Sequence, residues 1–128
     1  MATYSITGRA TKGYIAFIVE RSRLGFLKDY WRPLSSRITS ELDIYEELHA
    51  ARVRHVATVF AGGDVAGQVT RTDEFLPADG PYAPLKRAHC CIVFNELARP
   101  LEDYKHSGAL IAIIFHALIG KLLVDPLV

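Results

Sequence analysis

Two side chains stand out for the chemistry their types and spacing allow, Lys28 and Glu41. Lys28 closes the apolar run Leu24-Gly25-Phe26-Leu27 and is followed by Asp29. Glu41 lies in a stretch with helical periodicity, Ile38 to Ala51, in which Ile38, Leu42, Tyr45 and Leu48 recur at helical steps. At about 100° per residue with Ile38 at zero, Leu42 falls near about +40°, Tyr45 near about −20° and Leu48 near about −80°. Glu41 falls near about −60°, inside that apolar arc, whereas Asp43, Glu46 and Glu47 fall on the opposite side. A carboxylate aimed at a core needs a cation or hydrogen-bond donors, because an unpaired buried charge is costly. Lys28 is the candidate cation. Simpler readings stand beside this one. An acid in the first turn of a helix that starts at Ser40 is favoured by the helix dipole alone, and a lysine at a strand end commonly reaches solvent.

The elements that must position these residues can be read from the pattern. Tyr14 to Val19 and Leu24 to Lys28 are β-prone runs separated by the polar Arg21-Ser22-Arg23, which predicts a hairpin. Pro33 breaks the chain before the helix. Val56 to Phe60 is a short strand stopped by Gly62-Gly63, and Val65 to Phe75 is a further, exposed strand. Pro77, Gly80, Pro81 and Pro84 mark a loop. His89 to Phe94 is a buried strand, Arg99-Pro100 interrupts, and Ser107 caps a last helix reaching about Val124. The order strand, strand, helix, strand, strand, strand, helix predicts an α+β fold with an antiparallel sheet.

The 128 residues suffice for one small domain, and the half that are apolar with 23% charged make a globular composition. A net charge of +1 gives no field to draw the chain to nucleic acid or anionic lipid, so no nucleic-acid partner is expected. The start, Met1-Ala-Thr-Tyr-Ser-Ile, has no signal-peptide pattern. Cys90 and Cys91 are adjacent and point to opposite faces of a strand, so they read as two reduced thiols of an intracellular protein, cytoplasmic or nuclear. The five histidines have no metal-ligand spacing, and no metal site or catalytic residue is assigned.

Ordered short blocks resemble the fungal-type protein kinases. They are Phe26-Leu27-Lys28-Asp29-Tyr30-Trp31-Arg32, then Ser40 to Leu48, then Val56-Ala57-Thr58-Val59 leading to Gly62-Gly63-Asp64-Val65, then Arg71-Thr72 with Phe75, and Arg99-Pro100-Leu101-Glu102-Asp103-Tyr104-Lys105 before a helix. The resemblance spans Gly8 to about Leu118. It implies a kinase-like small lobe over residues 1–98 and the start of a large lobe over 99–128. Lys28 would hold the α- and β-phosphates of ATP, and Glu41 would fix its position. Gly8 and Gly13 would belong to the glycine-rich loop, although Ala10 stands where the family's G-x-G-x-x-G has its central glycine, and a plain turn with Gly13 as an independent turn glycine is the simpler reading. Val93 to Leu97 would be the last small-lobe strand and hinge, with Asn95 or a neighbour at the back of the adenine pocket and Glu96 and Leu97 beside it.

The family's reaction is ATP-dependent phosphorylation of protein serine and threonine, but no H-R-D-like or D-F-G-like motif occurs among these residues. Asp125 is followed by Pro126 where phenylalanine would stand. The catalytic and Mg²⁺-holding aspartates are therefore missing, and the chain reads as a truncated, inactive transferase homologue. The alternatives are a pseudokinase-like interaction module and a tail-anchored membrane protein. Gly108 to Val124 is almost wholly apolar, but His116 and Lys121 are expensive in a bilayer, so a membrane partner is the weaker reading. Leu110, Ile111, Ile113, Ile114, Phe115, Leu118, Leu122 and Leu123 exceed what one contact face can cover. A protein partner or chaperone is expected on that helix.

Overall fold

The computed structural model describes residues 11–75 and 85–124. The sheet is built around one long strand. β2 (Arg23–Pro33) pairs antiparallel with β1 (Thr11–Ile18) on one side and with β4 (Arg87–Phe94) on the other. β3 (Val59–Val69) adds to the far edge of β4, giving a four-stranded antiparallel sheet in the order β1-β2-β4-β3. With the helices α1 (Glu41–Ala50) and α2 (Ser107–Val124) this is an α+β architecture, as the pattern implies.

The local chemistry explains the ends of these elements. β1 and β2 are joined by one turn of 3₁₀ helix, and Ser22 takes a left-handed φ of 47° so that its N–H can donate to the Val19 carbonyl at 3.1 Å. β2 ends at Pro33, which lacks the N–H that a further ladder bond would need. α1 starts three residues later than the Ile38 that opens the periodic stretch, because Ser40 is its N-cap: the hydroxyl accepts from the Asp43 N–H at 3.1 Å.

The core lies between α1 and one face of the sheet. β4 alternates strictly, with Ala88, Cys90, Ile92 and Phe94 turned inward and buried. Cys90, Ile92 and Phe94 cluster with Tyr30 of β2, and Leu42 and Tyr45 of α1 pack against them. Tyr45 meets Phe94 edge-on at 5.1 Å between ring centres.

Two expectations about the middle of the chain do not hold. Gly62-Gly63 does not stop a strand; β3 runs straight through both. The glycine at 62 serves close packing instead, since a Cβ there would lie 3.1 Å from Leu42 Cδ1 and 3.3 Å from the Cys91 carbonyl oxygen. The separate exposed strand at Val65 to Phe75 is the second half of β3 followed by a 3₁₀ turn at Thr72–Glu74, so the described residues hold four strands where five were expected. The proline-marked loop at 77–84 and Gly8 lie outside the described residues.

α2 begins at Ser107, which lies inside the helix where a cap was expected, while His106 Nδ1 accepts from the Ala109 N–H at 3.1 Å; the helix runs to Val124, the last described residue, and has little cover. None of its described side chains is buried. Its attachments include a parallel stack of His116 on His55, with ring centres 4.3 Å apart. Among the described residues no helix is long and apolar enough to cross a membrane.

Gly25 is a position in β2 with no room for a side chain. A Cβ there would run into the Phe94 carbonyl oxygen and the side chain of Ile18. Gly25→Ala is expected to destabilise the fold by about 1–3 kcal/mol, the usual cost of overpacking a rigid site, measured as a lowered midpoint in urea. An unchanged midpoint would mean that the strands separate at that point without cost.

Candidate functional site

The inward face of β2 carries Phe26, Lys28, Tyr30 and Arg32 in alternation, so two aromatic rings and two cations face α1. Each cation has a carboxylate. Lys28 Nζ donates to both Glu41 oxygens at 2.6 Å. Arg32 makes a fork to Asp64, Nε to Oδ1 at 2.7 Å and a terminal nitrogen to Oδ2 at 2.5 Å. The guanidinium, chiefly through this hydrogen bond, holds the Asp64 carboxyl below its ordinary range. Lys28 Nζ also stands 5.0 Å from the centre of the Tyr30 ring. Burial first, then the neighbouring Cys90, pushes the Tyr30 phenol far above its ordinary value, so it stays neutral beside the lysine.

Glu41 is the first residue of α1. Both sequence readings of it therefore hold at once, because the helix dipole favours a carboxylate at that end and Lys28 completes its pairing. The side chains remain 25% and 30% exposed, which leaves the pair reachable from a cleft at its side.

That cleft has a volume of about 500 Å³, within the range of small-molecule sites. Lys28 and Glu41 lie along its edge, Phe26, Tyr45 and Phe94 supply apolar surface, and Glu96 with Ala98 to Pro100 closes the far side. Gly13 lines it as well, opposite Lys28 in the β1–β2 register. A Cβ on Gly13 would come within 2.5 Å of Phe26 Cζ, so glycine here makes room for the ring.

Four of the residues singled out in the sequence, Gly13, Lys28, Glu41 and Glu96, thus meet in one cleft. Asn95 sits behind it, 5% exposed. Its N–H donates to the Thr58 carbonyl at 2.9 Å and its own carbonyl accepts from Arg23, which pins the end of β4 to the segment before β3. The Glu96 carboxylate accepts from the Thr58 N–H at 2.7 Å. Burial is the largest single influence and would raise that carboxyl, but the hydrogen bonds from Thr58 and from its own main chain, with the Arg23 charge, together turn the net direction downward. Leu97 is half-exposed and does not line the cleft.

A second group lies on the opposite face of the sheet, where the sequence offered no ligand spacing. Asp29, His89 and Cys91 bring one potential donor atom each within 4.8 Å of the others. Asp29 faces Cys91 across the β2–β4 ladder, and His89 is two residues before Cys91 on the same face. The signal was the i, i+2 pair His89-x-Cys91, which means nothing until the neighbouring strand and its register are known. Cys90 and Cys91 do point to opposite faces, one buried in the core and one half-buried. Burial raises both thiols, with the Asp29 carboxylate adding to it for Cys91, so neither is an activated nucleophile. Comparison with family models, with curated proteins and with solved structures found no match.

Proposed function

We propose that this chain is the nucleotide-binding part of a fungal-type protein-kinase-like domain, with residues 1–98 as small lobe to the hinge and 99–128 as the start of a large lobe. One observation carries the reading: a lysine on an inner strand, gripped by both oxygens of a helix glutamate, beside a cleft closed by the segment that follows β4. Lys28 would meet the phosphates of ATP, because its ammonium is already oriented and needs no further ordering to donate. The aromatic walls at Phe26 and Phe94 suit a flat base. These two rings stack with centres 6.5 Å apart.

The residues present suit the nucleotide better than they suit Mg²⁺. Among the described residues the carboxylates lining the cleft are Glu41 and Glu96. The first is engaged by Lys28 and the second by the Thr58 N–H. With no H-R-D-like or D-F-G-like aspartate among the 128 residues, these residues bind ATP and transfer no phosphate, since that step depends on positioned metal and a positioned hydroxyl. A titration with a fluorescent ATP analogue should saturate and be competed by ATP. Lys28→Met should weaken it by about tenfold or more, the loss of one charge-assisted hydrogen bond. Absence of saturable binding, or equal affinity in a Lys28→Met chain with unchanged circular dichroism, would overturn the reading.

The exposed side of α2 favours a second role, as an interaction surface. Ile111 and Phe115 stand 67% and 59% exposed on one helix, with Ile114 and Leu118 nearly as open. Covering such side chains is worth about 1.5–3 kcal/mol each. The intact chain is therefore expected to self-associate or to hold a protein partner, and deletion of Gly108 to Val128 should yield a monomer by light scattering. A monodisperse intact chain would count against this role.

A further inference from the structure

The outer face of the sheet, away from α1 and the cleft, holds a group built more closely than surface residues require. His89 is fixed on three sides. Its Nδ1 lies 2.6 Å from Gln68 Oε1, its Nε2 lies 2.6 Å from Asp29 Oδ1, and its ring stacks on Trp31 at 5.0 Å with an interplanar angle of 18°. An amide oxygen can only accept, so the Gln68 contact places a proton on Nδ1. In the form that carries its proton on Nδ1 alone, the ring offers its Nε2 lone pair to Asp29 and Cys91. That lone pair faces a carboxylate oxygen, and the contact is repulsive unless a proton or a metal ion lies between them.

We propose that Asp29, His89 and Cys91 bind one zinc ion, through a carboxylate oxygen, Nε2 and the thiolate, with water as the fourth ligand. Imidazole and thiolate together exclude magnesium and calcium, which take oxygen ligands, and zinc accepts all three donor types. Zinc bond lengths of about 2.0–2.3 Å place tetrahedral donors roughly 3–4 Å apart. The three donor atoms already lie within 4.8 Å of one another, so modest rotamer changes suffice. Gln68 plays the part that an outer carbonyl usually plays for a ligating histidine, fixing its tautomer and its plane. Access is open on the Cys91 side, where a shallow hollow of about 360 Å³ passes along Gly62 and Gly63. Gly63 faces Cys91 across the ladder, and a Cβ there would meet nothing within 4 Å. Metal binding removes the thiol proton, reversing the upward push that burial and Asp29 exert on Cys91 in the free protein. The site is independent of the nucleotide reading and stands or falls separately.

Cobalt(II) is the probe that reads the ligands directly. The full chain, stripped with a chelator, should take up one cobalt ion with a thiolate-to-cobalt charge-transfer band and the strong visible bands of tetrahedral coordination, and zinc should displace it stoichiometrically. Cys91→Ser should abolish the charge-transfer band, whereas Cys90→Ser, altered on the other face, should keep it. Asp29→Asn and His89→Gln should weaken zinc in competition with a chromophoric chelator, and Gln68→Ala should weaken it by about ten- to a hundredfold. These variants carry the test if Cys91→Ser fails to fold by circular dichroism. A chain that takes up no cobalt, a charge-transfer band that survives Cys91→Ser, or zinc affinity unchanged in Asp29→Asn and His89→Gln would overturn the proposal.

Discussion

A charge turned toward a core must be neutralised where it stands, and β2 turns two of them inward. Lys28 and Arg32 share a face with Phe26 and Tyr30, so the sheet can close against α1 only if a carboxylate reaches each. Glu41 and Asp64 do so from different elements, the helix and the edge strand. The two pairs therefore specify how α1 and β3 sit on β2 and β4 while Leu42, Tyr45 and the β4 side chains supply the apolar contact. Removing one partner would leave the other charge half-buried without a counter-ion, which costs more than the pair itself contributes.

The same constraint makes a cleft. Lys28 is held short of full burial, and its grip on Glu41 keeps the ammonium at the cleft's edge. Gly13 leaves space for Phe26, and Asn95 and Glu96 tie the segment after β4 back to Thr58. The small size of the inner cluster fits this arrangement, since the domain trades apolar contact for oriented polar contact on one face. α2 stands largely outside that economy, joined to the rest through contacts such as His55 on His116.

What could be read from the sequence was what depends on near neighbours. The Ser40 cap, the alternation of β4, the hairpin at Arg21 to Arg23 and the existence of α2 are all set within a few residues, and each was legible. Glu41 was legible as an inward acid because helical period is local, although its angle was reckoned from Ile38, which lies outside the helix. Long-range facts were not. Gly62-Gly63 reads as a strand breaker in isolation, and it takes the approach of Leu42 from α1 and of the Cys91 carbonyl from β4 to explain the glycine at 62. Arg32 with Asp64, and Asp29 with His89 and Cys91, are joined by strand register across 32 and 60 positions of sequence, which no local pattern encodes.

The dependence of the cleft on the Lys28–Glu41 contact is most directly measured by a double-mutant cycle in nucleotide affinity. Glu41→Gln is compared in the native background and in a Lys28→Met background, with circular dichroism confirming each fold. If Glu41 acts by holding Lys28, its removal weakens nucleotide binding only while the lysine is present, and the coupling amounts to about 1 kcal/mol or more, as for side chains in direct contact. Equal losses in both backgrounds, additive within about 0.3–0.5 kcal/mol, would contradict the account and leave the ion pair as a structural clasp without a part in binding.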